Sequence, residues 1–272
     1  MSISSVFNED SFENSILQLL AGLNYNIFHG YDIERDYHNP LYMDEFESSL
    51  YFINKDVNPE AVQAAIEKLQ NIDIGSLEEM NDTFMHYLQN GVSVTYLENN
   101  EEVSTLIKLI DYENVENNTF TAINQWTVID KENKRPDIVI FVNGIPLVVV
   151  ELKSPSREET DVSEAYTQLK KYMKVIPSLF VYNAFCIMSD QATSKAGTIT
   201  SSEDRFMEWK TTDGSYENTR FASFDVLFEG IFEKNRFLDI LENFTLFSKE
   251  ASKYIKILAG YHQYFAVNKA VS

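Results

Sequence analysis

The sequence predicts an α+β member of the α/β class, with a mixed central sheet flanked by helices, an extra helical region in front and further helices behind. Three observations lead there. Apolar residues recur at helical spacing up to Asn90, β-branched and aromatic residues dominate from Val92 to Ile129, and then a strand, strand, helix, strand order follows. The elements can be justified in turn. Ser11 to Leu23 carries Phe12, Ile16, Leu19, Leu20 and Leu23 on one helical face behind a serine able to cap it. Helices fit Met43 to Asn54, Glu60 to Asn71 after the Asn58-Pro59 pair, and Leu77 to Asn90. Val92 to Leu97, Thr105 to Asp111 and Phe120 to Ile129 read as strands separated by Asn- and Glu-rich turns, and are expected beside the hairpin that follows.

That hairpin is the most informative stretch of the chain. Residues 135 to 153 read RPDIVIFVNGIPLVVVELK, two apolar strands joined by Asn143-Gly144. Asp137 opens the first strand; Glu151 and Lys153 close the second, and the period of two puts them on one face. Two carboxylates can share a hard cation such as Mg2+, which takes oxygen ligands and keeps several waters. The register decides whether they do. A plain two-residue turn would pair Val142 with Ile145 and Asp137 with Val150, leaving Glu151 on the other face. A shared site needs a one-residue slip, so an irregular turn or bulge is expected between Val142 and Leu147, with Pro146 the natural place because it lacks a backbone donor. Alone, such a triplet also fits solvated strand ends. The continuous Leu147 to Val150 run, and Gln168 and Tyr172 four residues apart on the next helix, favour a site.

A helix from about Asp161 to Val175 is expected to stop at Pro177, with a buried strand from Phe180 to Met188, an irregular stretch from Ser189 to Asn218, and helices from Phe224 through Leu258. One cysteine, Cys186, excludes an intrachain disulfide framework, and the four histidines have no zinc spacing. No apolar run is long enough to cross a membrane, and Met1 to Asp10 lacks the pattern of a secretory signal, so a cytoplasmic protein without membrane partners is expected. The net charge of −20 opposes a generally basic nucleic-acid binder. Between Lys131 and Phe180, however, eight basic side chains meet seven acidic ones, so the acid excess lies elsewhere.

The string RPDIVIFVNGIPLVVVELKSP resembles the amino-terminal nuclease region of the R subunit of type I restriction-modification enzymes, a branch of the PD-(D/E)xK superfamily. The resemblance covers almost the whole chain. Glu164-Ala165 through Gln168 and Tyr172 is similar to the QxxxY helix behind that core, and Asn183 to Asp190, Gly197-Thr198 and Arg205-Phe206 to Trp209-Lys210 resemble the segments that follow. It implies a restriction-endonuclease-like core in which Asp137 and Glu151 bind Mg2+, with Mn2+ a substitute, joined by the Leu152 carbonyl. Lys153 would assist the attacking water or the developing charge. It further implies an acid on the first helix, for which Glu13 is the candidate. Gln168 and Tyr172 then position phosphate or support Lys153, with core packing the other reading of Tyr172. Lys170, Lys171 and Lys174 are candidates for phosphate contacts or a solvated helix face.

Tyr261-His262-Gln263-Tyr264-Phe265-Ala266-Val267 is similar to the lead into the motor of the same subunit, where a glutamine contacts the base of ATP, so Gln263 is its counterpart; an exposed polar residue is the other reading. No GxxxxGK[ST] loop occurs in these 272 residues, so the chain is expected to be a fragment lacking the ATP-dependent motor domain. The expected organisation is an endonuclease domain over 1–220, helical over about 1–90 with its core over about 91–190, and a helical linker over 221–272. The implied activity is hydrolysis of double-stranded DNA without sequence choice of its own, as a type I site-specific deoxyribonuclease working with methyltransferase and specificity subunits. The alternatives are a docking module that mainly assembles those subunits with the motor, and a stand-alone repair nuclease.

Overall fold

A computed structural model describes residues 9–98, 100–153, 162–190, 192–215, 224–250 and 253–271. The helices of the first part form as the spacing predicts: α1 Glu9–Gly22, α2 Met43–Ile53, α3 Pro59–Gln70 and α4 Leu77–Asn90. Their starts are written in local chemistry. The Asn58 side chain accepts the Glu60 N–H with Pro59 next in line, and Ser76 and Glu79 close a reciprocal capping box on α4.

The strands are β1 Asn26–His29, β2 Val92–Glu98, β3 Glu101–Ile107, β4 Phe120–Asn124, β5 Val128–Ile129, β6 Asn133–Lys134, β7 Ile138–Val142, β8 Ile145–Leu152, β9 Phe185–Ser189, β10 Ser194–Gly197, β11 Met207–Glu208, β12 Thr245–Glu250 and β13 Lys253–Leu258. Seven of them make a mixed sheet in the order β1-β4-β7-β8-β9-β10-β11, with β1–β4 and β8–β9 parallel and the other neighbours antiparallel. Strands β4, β7, β8 and β9 are buried along their whole length, as the apolar run predicts for a sheet covered on both faces.

The side chains of the central strands alternate between two cores. Ile138, Ile140, Val148, Val150 and Ile187 join α1, α3, α4 and the later helices α7 Phe224–Phe232 and α8 Lys234–Asn243. Val139, Phe141, Val149, Cys186 and Met188 face the opposite way, onto α5 Val162–Val175 and α6 Pro177–Val181. The loop at Ser154 to Ser156 and the helix start at Asp161 lie outside the described residues.

Several expectations are corrected. Pro177 does not merely end α5; it begins α6, so Phe180 and Val181 are helical and the strand starts at Phe185. A proline suits a helix's first turn, where its missing N–H has no partner to lose. Among the described residues, strands β2 and β3 pair only with each other instead of joining the Asp137 hairpin, and the predicted Phe120 to Ile129 strand breaks at Gln125, whose φ is +55°. The irregular stretch after Ser189 contains β10 and β11, which extend the sheet. The segment from Phe224 to Leu258 is not all helix: β12 and β13 form a hairpin before α9 Tyr261–Val271.

The buried Lys256 on β13 ties that hairpin to the rest. Its Nζ donates to Asn81 Oδ1 at 2.7 Å and to the Asn183 carbonyl at 2.6 Å, while its own carbonyl accepts the Thr198 hydroxyl. Asn81, fully buried on α4, also donates to the carbonyls of Phe180, Val181 and Asn183. Among the described residues, no helix is long and apolar enough to cross a membrane.

Candidate active site

Site geometry begins at the Asn143-Gly144 turn. Both residues have positive φ, +52° and +73°, the conformation of a type I′ hairpin turn. The turn is clamped from every side. Gly144 N–H donates to Glu45 Oε1 at 2.9 Å and its carbonyl accepts Tyr42 N–H, while Asn143 reaches Leu109, Asn118 and Thr119. Burial raises the pKa of Glu45 against the Thr121 and Gly144 donors that lower it.

The turn itself is two-residue and pairs Val142 with Ile145. The expected irregularity comes immediately after. Phe141 pairs with Pro146 and Ile140 with Val148, so Leu147 is an extra residue, a β-bulge. Pro146 has no N–H for the ladder, and the Leu147 carbonyl turns instead to Ala184 N–H at 2.7 Å and the Asn183 amide at 3.2 Å. Beyond the bulge Ile138 pairs with Val150, which brings Asp137 opposite Glu151. Both therefore share the parity of Val139 and Val149 and point to the α5 face.

On that face the predicted residues meet. Asp137 Oδ2 accepts the Leu152 N–H at 2.7 Å, fixing the first carboxylate across the strands. Glu151, 3% exposed, accepts Lys153 Nζ at 2.7 Å, and the same ammonium donates to the Leu152 carbonyl at 2.9 Å. The Tyr172 hydroxyl is buried beside Glu151, hydrogen-bonded to it and to Gln168; burial and then the Glu151 charge push its pKa well up, so it is a donor and not a base. Tyr172 is thus both packed in the core and hydrogen-bonded to Glu151.

Glu13 arrives from the other face. It is buried on α1, with one carboxylate oxygen accepting from the Asn124 amide and the other from the Gln125 amide at 2.7 Å. Gln125 N–H in turn donates to the Asp137 carbonyl at 2.8 Å. Glu13 thus stands at the same strand ends as Asp137, but among the described residues no three His, Cys, Asp or Glu side chains converge as a metal cluster. The sequence reading missed Asn124, Gln125 and His29, whose Nδ1 bonds Asn124 Oδ1. The available signal was a polar Asn-Gln pair interrupting the apolar Phe120 to Ile129 run.

The peripheral candidates divide. Lys170 is half-buried, donating to the Ile199 carbonyl at 2.8 Å, and burial lowers its pKa; it is committed to packing. Lys171 and Lys174 are exposed. Gln263 is exposed at the start of α9, where its Oε1 accepts the Gly260 N–H.

The oxygen set suits a cation, because an ammonium already touches Glu151 and the Leu152 carbonyl. Mg2+ takes carboxylate, carbonyl and water oxygens, the donor types that Asp137, Glu151 and Leu152 carry.

The family model of the type I restriction enzyme R protein N terminus matches residues 6–205. The chain is 33% identical over 280 residues to the type I restriction enzyme HindI endonuclease subunit of Haemophilus influenzae, covering 98% of this chain and 26% of that protein. It is 32% identical over 292 residues to the type I restriction enzyme MjaIXP endonuclease subunit of Methanocaldococcus jannaschii, covering 97% and 27%. It therefore spans about a quarter of the length of these relatives. The chain belongs to the family of type I restriction enzyme R protein N termini.

Proposed function

We propose that this chain is the metal-dependent nuclease part of a type I restriction enzyme R subunit, hydrolysing phosphodiester bonds of double-stranded DNA. The observation that carries the reading is the bulged register, with Ile138 opposite Val150, which brings Asp137 opposite Glu151 on the face that carries Gln168 and Tyr172. Relatives named as endonuclease subunits supply the reaction class.

Asp137, Glu151 and the Leu152 carbonyl would hold Mg2+, and a bound Mg2+ supplies Lewis acidity toward phosphate and lowers the pKa of its water. The chain's own residues do the rest. Leu152 N–H fixes Asp137, and Lys153 holds a proton-rich ammonium at the carboxylate, placed to orient water or to stabilise charge on the phosphate. Gln168 hydrogen-bonds Tyr172, which, kept protonated by burial, orients Glu151. Site choice is assigned to a specificity subunit acting with a methyltransferase subunit, and cutting is coupled to an ATP-driven motor elsewhere in the full subunit.

The test is calorimetric titration of Mn2+ into the wild-type chain and Glu151→Gln. Saturable binding lost in the variant is expected; no binding to the wild type overturns the metal reading. In the assembled enzyme, Asp137→Ala should abolish cleavage while the complex still forms. Retained cleavage would instead favour the docking role.

A further inference from the structure

Gln125 has a left-handed backbone, φ +55°, immediately after the last residue of β4. Side chains rarely adopt that region; glycine and asparagine enter it at least cost. The surroundings are built to accept it. A Cβ on Gly30 would lie 2.5 Å from the Gln125 carbonyl oxygen, so only a glycine there leaves room for this backbone. An outlier at the edge of a functional sheet asks for a reason, and the neighbouring bonds give one.

We propose that Gln125 is a positioning residue for the nuclease site, coupling the Glu13 carboxylate on α1 to the Asp137 backbone on the far side of β4. The proposal rests on the metal-dependent reading above. With one residue Gln125 grips both elements: its side-chain Nε2 holds Glu13 Oε2 at 2.7 Å and its N–H holds the Asp137 carbonyl at 2.8 Å. The turned backbone aims the amide at Glu13, and the long glutamine chain supplies reach that asparagine or glycine lacks. The other carboxylate oxygen is held by Asn124, itself fixed by His29 Nδ1–H. Both restraints on Glu13 are neutral amides. They orient a buried carboxylate without cancelling its charge, so the field of Glu13 still favours a cation at the strand ends.

This role is tested by titrating Mn2+ calorimetrically into the wild-type chain, Gln125→Gly, Gln125→Asn and Glu151→Gln, with thermal midpoints recorded for each. Gln125→Gly relieves the backbone and deletes the side-chain grip on Glu13 while keeping an N–H for the Asp137 carbonyl; Gln125→Asn keeps a residue tolerant of positive φ but too short for Glu13. Both are expected to keep their midpoints within a few degrees while Mn2+ affinity falls about tenfold or more, the usual penalty for losing a group that orients a ligand. Wild-type affinity in both variants, alongside lost binding in Glu151→Gln, overturns the positioning role and leaves the metal site standing. Absence of binding in the wild type overturns the metal reading and this proposal with it.

Discussion

Replacing Lys256 by methionine should change how the stability of this protein depends on pH. The ammonium is fully enclosed, and burial lowers its pKa from an ordinary 10.5 to about 7, the charges of Cys186 and Asp82 opposing that shift. The groups facing it are Asn81, Asn183, Cys186 and the Phe247 ring, with Asp82 farther off and already paired with Lys249. Between the two pKa values the unfolded chain binds a proton that the folded protein does not. The amine's contribution is therefore present in full above 10.5 and is lost as pH falls through about 7. At about 1.4 kcal/mol per unit, raising the pH from about 7 to about 9 should stabilise the wild type by about 2 kcal/mol relative to Lys256→Met. Urea unfolding at the two pH values, with Cys186→Ala in both proteins because the Lys256 charge lowers that thiol's pKa, measures this, and the difference cancels the carboxylates and tyrosines, which titrate in both. Parallel pH dependences would refute the reasoning, since they would mean that Lys256 titrates as it does in water and does not pin the hairpin.

Gly144→Ala should cost about 2–5 kcal/mol in urea unfolding, combining left-handed strain with a new Cβ whose site is 2.4 Å from the Phe46 nitrogen. Asn81→Ala strips a donor from three buried carbonyls and an acceptor from Lys256, and should cost about 2–4 kcal/mol. Combined with Lys256→Met, its effect should fall short of the sum, because the two share a bond. Tyr172→Phe should weaken Mn2+ binding about tenfold in calorimetry with about 1 kcal/mol of lost stability, and unchanged affinity would reduce that hydroxyl to packing.

What could be read from the chain was whatever is settled by neighbours in sequence. The Asn-Pro start of α3 and the need for a slip after Asn143-Gly144 are local statements, and the structure agrees with each. The β12–β13 hairpin was misread because Lys256 sits on its inward face, where an apolar residue would have marked the period of two. Its partners, Asn81 and Asn183, are remote in sequence. The same distance hid the grip on Glu13, whose partners Asn124 and Gln125 lie more than 100 residues away. Phe180 and Val181 look equally apolar in a strand or a short buried helix, and only packing against Asn81 distinguishes them.

The bulge at Leu147 also makes loop length a matter of parity. Because successive side chains point to opposite faces, the two-residue turn and the bulge together decide which residue stands opposite Asp137. Gaining one residue while the bulge is kept would present Val150 to Asp137, leaving the sheet apolar and foldable but its edge without paired acids, whereas losing the bulged Leu147 would restore a regular ladder and keep Glu151 opposite Asp137. The turn is thus a place where tolerance of insertions is quantised, and where a chain could lose its chemistry while keeping its shape.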